Sequence, residues 1–187
     1  MIVECVANNV SDFSSDNRLR DLLMSTFGSM GKSLSLTIGK HYVVYAVEST
    51  THDFLFYVAD DDFRGARNYP FRYLEVFFKV VDSRWSSCWT ESIRDSCIFR
   101  TFVEWSSESS FYERLVEGNT REIELFHKYR IFMEYEFPCP GVTYNASALD
   151  AKWLLCPICS EAWESVSEWG MVQCPKCHST MHNPRYC

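Results

Sequence analysis

Cys156-Pro157-Ile158-Cys159 and Cys174-Pro175-Lys176-Cys177 form two CPxC pairs separated by fourteen residues. Two residues between cysteines let one tight turn aim both sulfurs at a single point. A second such pair completes a tetrahedron of soft ligands, which is the arrangement zinc prefers. Proline after the first cysteine of each pair pre-sets the φ angle of the turn. Four thiolates fill the coordination sphere and leave no position for water, so the zinc expected here is structural and not catalytic. Three alternatives stay open: a mixed site in which His178 or His182 replaces a cysteine, an iron ion with redox chemistry, and disulfides. Nine cysteines is an odd number, and paired CxxC spacing in a reducing compartment reads as metal binding. Cys5, Cys88, Cys97 and Cys139 are expected as small buried apolar residues. Cys187, the last residue, carries no assignment.

The elements around the cysteines must be short strands. Trp153-Leu154-Leu155 leads into the first turn, and Gly170-Met171-Val172-Gln173 leads into the second. Each turn then sits at the tip of a hairpin, with Trp163, Val166 and Trp169 supplying a small core. A unit this size buries too little to fold alone, so the metal would contribute folding free energy outright. Through its CPxC…CPxC signature, residues 151–187 resemble the zinc-ribbon (rubredoxin-like) family. Ribbons often have glycine after the second cysteine of a pair; Ser160 and His178 stand there instead.

Upstream, Ile2–Ala7 reads as a first strand and 16–30 as a short helix with Leu19, Leu22, Leu23 and Phe27 on one face, closed by Gly28 and Gly31. Tyr42–Val47 and Phe54–Ala59 read as a hairpin across Glu48–Asp53. Phe71–Val81 reads as one further strand, with Trp85–Trp89 and Ile98–Trp105 as others. Asp60-Asp61-Asp62 lacks the spaced acids and defined glycine of a calcium loop, so a solvated turn is expected. Phe111–Val116 reads as a helical turn or two. Asn119-Thr120 with Glu122 resembles a capping box opening a helix over 119–136, its stripe marked by Ile123, Phe126, Tyr129, Phe132 and Met133. Pro138 and Pro140 end it.

Leu36-Thr37-Ile38-Gly39-Lys40-His41-Tyr42-Val43-Val44, then FLFYVADDD, Tyr69-Pro70-Phe71 and FFKVVD, resemble small bacterial SH3-like barrels over roughly residues 1–85. Within that pattern Gly39 supplies a tight turn. The fold class expected is therefore α+β: an SH3-like β-barrel with a helical insert and a following helix, plus a C-terminal zinc ribbon. The domains are 1–137, a linker over 138–150, and the ribbon over 151–187.

The apolar fraction of 47% and aromatic fraction of 16% predict a packed core. The formal charge is −7, and because residues 151–187 are balanced, residues 1–150 carry all of it. That balance argues against nucleic acid, whose ligands need a basic stripe, and favours a basic partner. Arg64, Arg67 and Arg72 form the single loose basic cluster. No segment has the apolar length to span a bilayer and the N-terminus lacks signal-peptide character, which places the chain in the cytoplasm. None of His41, His52, His127, His178 and His182 lies in a nucleophile or metal motif, and no GxSxG or phosphate loop occurs, so no enzyme activity is expected.

The same composite resembles immunity proteins of bacterial polymorphic toxin systems, a likeness carried by the LTIGK segment and FYERLVEGNTREIELFHKYRIFMEYEFP at 111–138. This resemblance implies a protein that binds and neutralises one cognate toxin, with no catalytic residues. A basic nuclease would suit the acidic chain. Asp60, Asp61, Asp62, Glu104, Glu108, Glu113 and Glu117 form the candidate partner-binding set. The other function class is a zinc-ribbon adaptor associated with nucleic acid or regulation.

Overall fold

A computed structural model describes residues 1–13, 17–27, 33–49, 53–63, 67–94, 97–137, 145–165, 171–176 and 180–185. The architecture is mixed α and β, mostly sheet with few helices. Two compact units make it up: Met1–Arg84 with Ile93–Arg100, and Trp85–Ser92 with Thr101–Cys187.

In the first unit the chain runs through β1 (Ile2–Cys5), a 3-10 turn (Val10–Phe13), α1 (Asn17–Phe27), β2 (His41–Ser49) and β3 (Phe54–Val58). It continues through β4 (Phe71–Leu74), a second 3-10 turn (Glu75–Phe77) and β5 (Phe78–Asp82). The strands lie in the order β4-β3-β2-β1-β5, every ladder antiparallel. Residues 42–47 of β2 are all buried, so both faces are covered and the sequence is a continuous apolar run instead of an alternation. The long β2 also changes neighbour along one edge. Its start pairs with β1 (Val43 opposite Ile2), and its end pairs with β7 (Cys97–Phe102), with Glu48 opposite Phe99. The expected hairpin of β2 and β3 forms, with Val47 opposite Phe56.

The single strand expected over Phe71–Val81 is two strands broken by a turn. Phe77 is fully buried, and its ring meets Phe13 edge-on at 5.2 Å. The Phe78 amide closes the turn by donating to the Glu75 carbonyl. The charges in this run, Arg72, Glu75 and Lys79, keep no period of two, and nothing in their spacing marks the break. Gly39 has φ +80°, a conformation that side chains disfavour, and its amide donates to the Cys5 carbonyl at 2.8 Å. The tight turn expected at LTIGK is therefore there. Among the described residues no ladder joins β4 to β5, so the sheet is not closed into a barrel.

The chain crosses into the second unit within β6 (Trp89–Arg94) and β7, which pair with each other. The strand expected at Trp85–Trp89 is thus displaced, while the one expected at Ile98–Trp105 is β7, which gives way at Val103 to α2 (Val103–Ser107). α3 (Phe111–Val116) and α4 (Thr120–Glu136) follow. Gly118, at φ +86°, ends α3: its amide bonds to Leu115 and the Asn119 amide to Arg114, the Schellman pattern. Phe102, Trp105, Phe111 and Phe126 are fully buried. Phe102 stacks on Tyr129 at 4.1 Å, and Trp105 on Tyr112 at 5.6 Å. Much of the aromatic content is core here.

The buried face of α4 contains Glu122, Phe126, Arg130 and Met133, with Phe137 just beyond. Two of these positions are charged, so the apolar stripe on the sequence finds the helix and the buried Phe126 and Met133 but misses Glu122 and Arg130. The capping box does not form. Asn119 is the N-cap but makes no cap bond with its side chain, and Glu122 accepts instead from Arg114 and Arg121 at 2.8 and 2.9 Å. The tail consists of β8 (Ser147–Ala148), β9 (Trp153–Leu155) and β10 (Ala162–Glu164) in one sheet. A two-stranded ladder follows, of β11 (Met171–Gln173) and β12 (Thr180–His182).

Candidate metal centre

The first CPxC segment occupies a hairpin tip, and Cys174 of the second directly follows a hairpin strand. β9 and β10 pair with Leu155 opposite Ala162, so Cys156–Cys159 is the turn between them. β11 and β12 pair with Gln173 opposite Thr180, so Cys174 begins the second turn. The first turn is held by the Cys156 amide donating to the Glu161 carbonyl at 2.8 Å and the Ser160 amide to the Cys156 carbonyl at 3.0 Å. Ser160 has φ +58°, the left-handed region. That is the physical reason for the glycine usual at this place.

The Sγ atoms of Cys156, Cys159 and Cys174 all lie within 4.8 Å of one another. Cys159 and Cys174 sulfurs are 3.5 Å apart, too far for a disulfide bond of about 2.05 Å. Metal–thiolate bonds of about 2.3 Å in a tetrahedron put sulfurs roughly 3.8 Å apart. The cluster thus fits a metal ion. Among the described residues no other three His, Cys, Asp or Glu side chains converge in this way. Cys177 and His178 lie outside the described residues, as do Cys139, Cys187, Val166 and Trp169, and the side chain of His182 is not described. Cys156 and Cys174 are fully buried with Ala146, Leu154, Val172 and Met181, and Trp163 packs against them. An apolar shell of this kind keeps water from the thiolates.

Arg185 completes the tail, a role its sequence position does not reveal. Its guanidinium donates to the carbonyls of Ser165, Asp150 and Trp153 at 2.9 to 3.1 Å. The ends of the β9–β10 hairpin are thereby tied together. On the other side, Arg130 of α4, 1% exposed, donates to Gln173 Oε1 at 3.4 Å.

The candidate partner-binding acids divide between the units. Asp60, Asp61 and Asp62 belong to the first; Glu104, Glu108, Glu113 and Glu117 belong to the second. The turn expected for the aspartates forms at Asp61 and Asp62, with Asp61 exposed, but Asp60 is not solvated. Asp60 is 4% exposed, paired with Arg67, and accepts the Tyr73 hydroxyl at 2.5 Å. Asp61 accepts from Thr37, Lys40 and Tyr42 at 2.7, 2.5 and 3.1 Å. Burial pushes its carboxyl up, but those hydrogen bonds outweigh burial and hold it below the ordinary carboxylate range. Asp62 accepts from Ser35 at 2.5 Å. Glu104 accepts the Tyr129 hydroxyl at 3.2 Å, and burial together with that bond lifts the Tyr129 phenol to about 12. Glu108 pairs with both Arg114 and Arg121. Glu113 and Glu117 are exposed and make no ion pair among the described residues.

One constellation has no sequence signature. Ser86 donates to Glu136 at 2.5 Å, the Ser87 amide donates to the same carboxylate at 2.8 Å, and Cys88 Sγ lies 3.1 Å from Ser86 Oγ. Burial, with Glu136 and Glu104 nearby, raises the Cys88 thiol, so it stays protonated and is a poor nucleophile. This arrangement anchors the end of α4. Among the described residues no helix is long and apolar enough to cross a membrane. Compared with known proteins, the chain matches no family model, no curated protein and no solved structure.

Proposed function

We propose that this is an immunity-type binding protein that captures and neutralises a basic protein toxin, a nuclease being the best-suited kind, and that its tail is a zinc ribbon. The binding reading rests on one observation, the fate of the acids. Five of the seven candidates are engaged inside the fold. Glu113 of α3 and Glu117, the residue that caps the end of α3, are left four positions apart, with Val116 (42% exposed) between them. Spacing of three and four places all three on one helical face. A lysine or arginine of a partner can lay its stem on Val116 and set its charge between the carboxylates. The acidic first 150 residues would steer such a partner in.

Zinc is supported by the soft donors, by the sulfur spacing and by the hairpin tips that carry the cysteines, with Cys177 as the fourth ligand. In the first unit, β1 between β2 and β5, the meander β2-β3-β4 and the 3-10 turn before β5 support an SH3-like reading of the sheet. The reading includes no enzyme activity. It also places nucleic acid second: Arg67, central to the loose basic cluster, is engaged by Asp60 and Asp62.

The test is co-expression with the product of the adjacent gene, followed by size exclusion and association kinetics. A retained complex is expected, with an association rate that falls as salt rises. Glu113→Lys with Glu117→Lys should slow association about tenfold or more. A complex that fails to form, or one whose association ignores salt and both substitutions, sinks the proposal.

A further inference from the structure

The cysteine-bearing hairpin touches α4 through a residue that is costly to leave without its surroundings. Arg130 is 1% exposed, and a buried guanidinium is tolerated only when hydrogen-bonded. Its two terminal nitrogens reach in two directions. One donates to Glu134, one turn along the same helix, at 3.4 Å. The other donates to Gln173 at 3.4 Å. Gln173 is the last residue of β11 and precedes Cys174, which is fully buried in the cluster core.

β11 has three residues and, among the described residues, pairs only with β12, also of three. A two-stranded ladder this short is not stable in water by itself. A metal held by Cys174 would supply the missing stability, since the free energy of binding is also free energy of folding. Losing the ion releases β11, and with it Gln173, one of the partners of Arg130. The buried face at Arg130 and Met133 then opens toward water.

We infer that metal occupancy of the cysteine cluster is transmitted to α4 through the Gln173–Arg130 contact, making the ribbon a metal-dependent clamp on that helix. This rests on the zinc reading and not on the toxin reading. The clamp extends further along the fold. Glu122, near the start of α4, holds Arg114 of α3, so a loosened α4 loosens the helix that presents Glu113 and Glu117. Coupling of this kind is reciprocal: what metal does for α4, α4 does for metal affinity.

The experiment uses the full chain reconstituted with zinc, with metal content measured and hydrogen exchange followed by mass spectrometry before and after a chelator. Exchange in peptides covering 127–137 should accelerate about tenfold or more on chelation, while peptides covering 41–58 stay unchanged. Gln173→Ala should weaken zinc retention against a competing chelator by about 5-fold or more, by that reciprocity. Arg130→Met is the companion variant; if it fails to fold, Gln173→Ala still decides the matter. The coupling is overturned if zinc leaves and α4 exchange does not change, or if Gln173→Ala holds zinc like the parent. A reconstituted chain that binds no zinc overturns the coupling and the zinc reading together, an outcome that metal content alone identifies.

Discussion

Ser160 follows the second cysteine of the first turn, in a backbone conformation that an L side chain adopts only at a cost. The turn needs that conformation because the Ser160 amide must reach back to the Cys156 carbonyl at 3.0 Å. Relief of about 1–2 kcal/mol, set against about 0.4–1 kcal/mol of extra freedom in the unfolded chain, leaves a gain near 0.5–1 kcal/mol for Ser160→Gly. Thermal unfolding of the zinc-loaded variant checks this, and a lowered midpoint would contradict it. Residue types were readable one by one for the cysteines, since spacing within a turn is local. They were not readable for the acids. Whether Asp60 is solvated or buried depends on Arg67 and Tyr73, seven and thirteen positions away, and no short-range pattern records that.

At the scale of elements, the joint between α3 and α4 is electrostatic. Glu122 sits with Arg114 and Arg121, and Glu108 joins from the segment before α3. Burial alone would raise the Glu122 carboxyl, yet the two arginines more than offset it and hold it below its ordinary value of 4.5. A depressed carboxylate stabilises the fold above its unfolded pKa and loses that contribution as pH falls through the folded one. The stability gap between the parent and Glu122→Gln is therefore expected to be full near neutrality and to close progressively below about pH 4.5. Urea midpoints across that range measure it; a gap that stays constant into acid would show that Glu122 acts by shape alone. The existence of α1, α3 and α4 was legible from their period, and the bounds of α3 match the sequence reading. The break inside Phe71–Val81 and the charged members of α4's inner face were not, because irregularly spaced charges and a charged core position both blur the periodic signal.

At the scale of the whole molecule, the tail belongs to one compact unit with α2, α3 and α4. Metal removal is therefore expected to reach beyond residues 151–187. Calorimetry should resolve a transition that falls by more than about 10 °C on chelation, given the folding free energy a structural zinc supplies to a unit of this size. The transition of the first unit should stay where it is. A scan in which chelation moves nothing would mean that the cysteines bear no metal of structural weight.

By itself the sequence determined the first CPxC turn, the tight turn at Gly39, the β2–β3 hairpin and the helices α1, α3 and α4, all of which follow from residues close together along the chain. Tertiary structure alone decided what those elements face. It buried Asp60, paired Glu108, set Arg130 against the strand that leads to Cys174, and left Glu113 and Glu117 exposed. The difference is one of range. Backbone conformation and ligand spacing are set within a few residues, whereas the state of a charge is set by partners that only folding brings near.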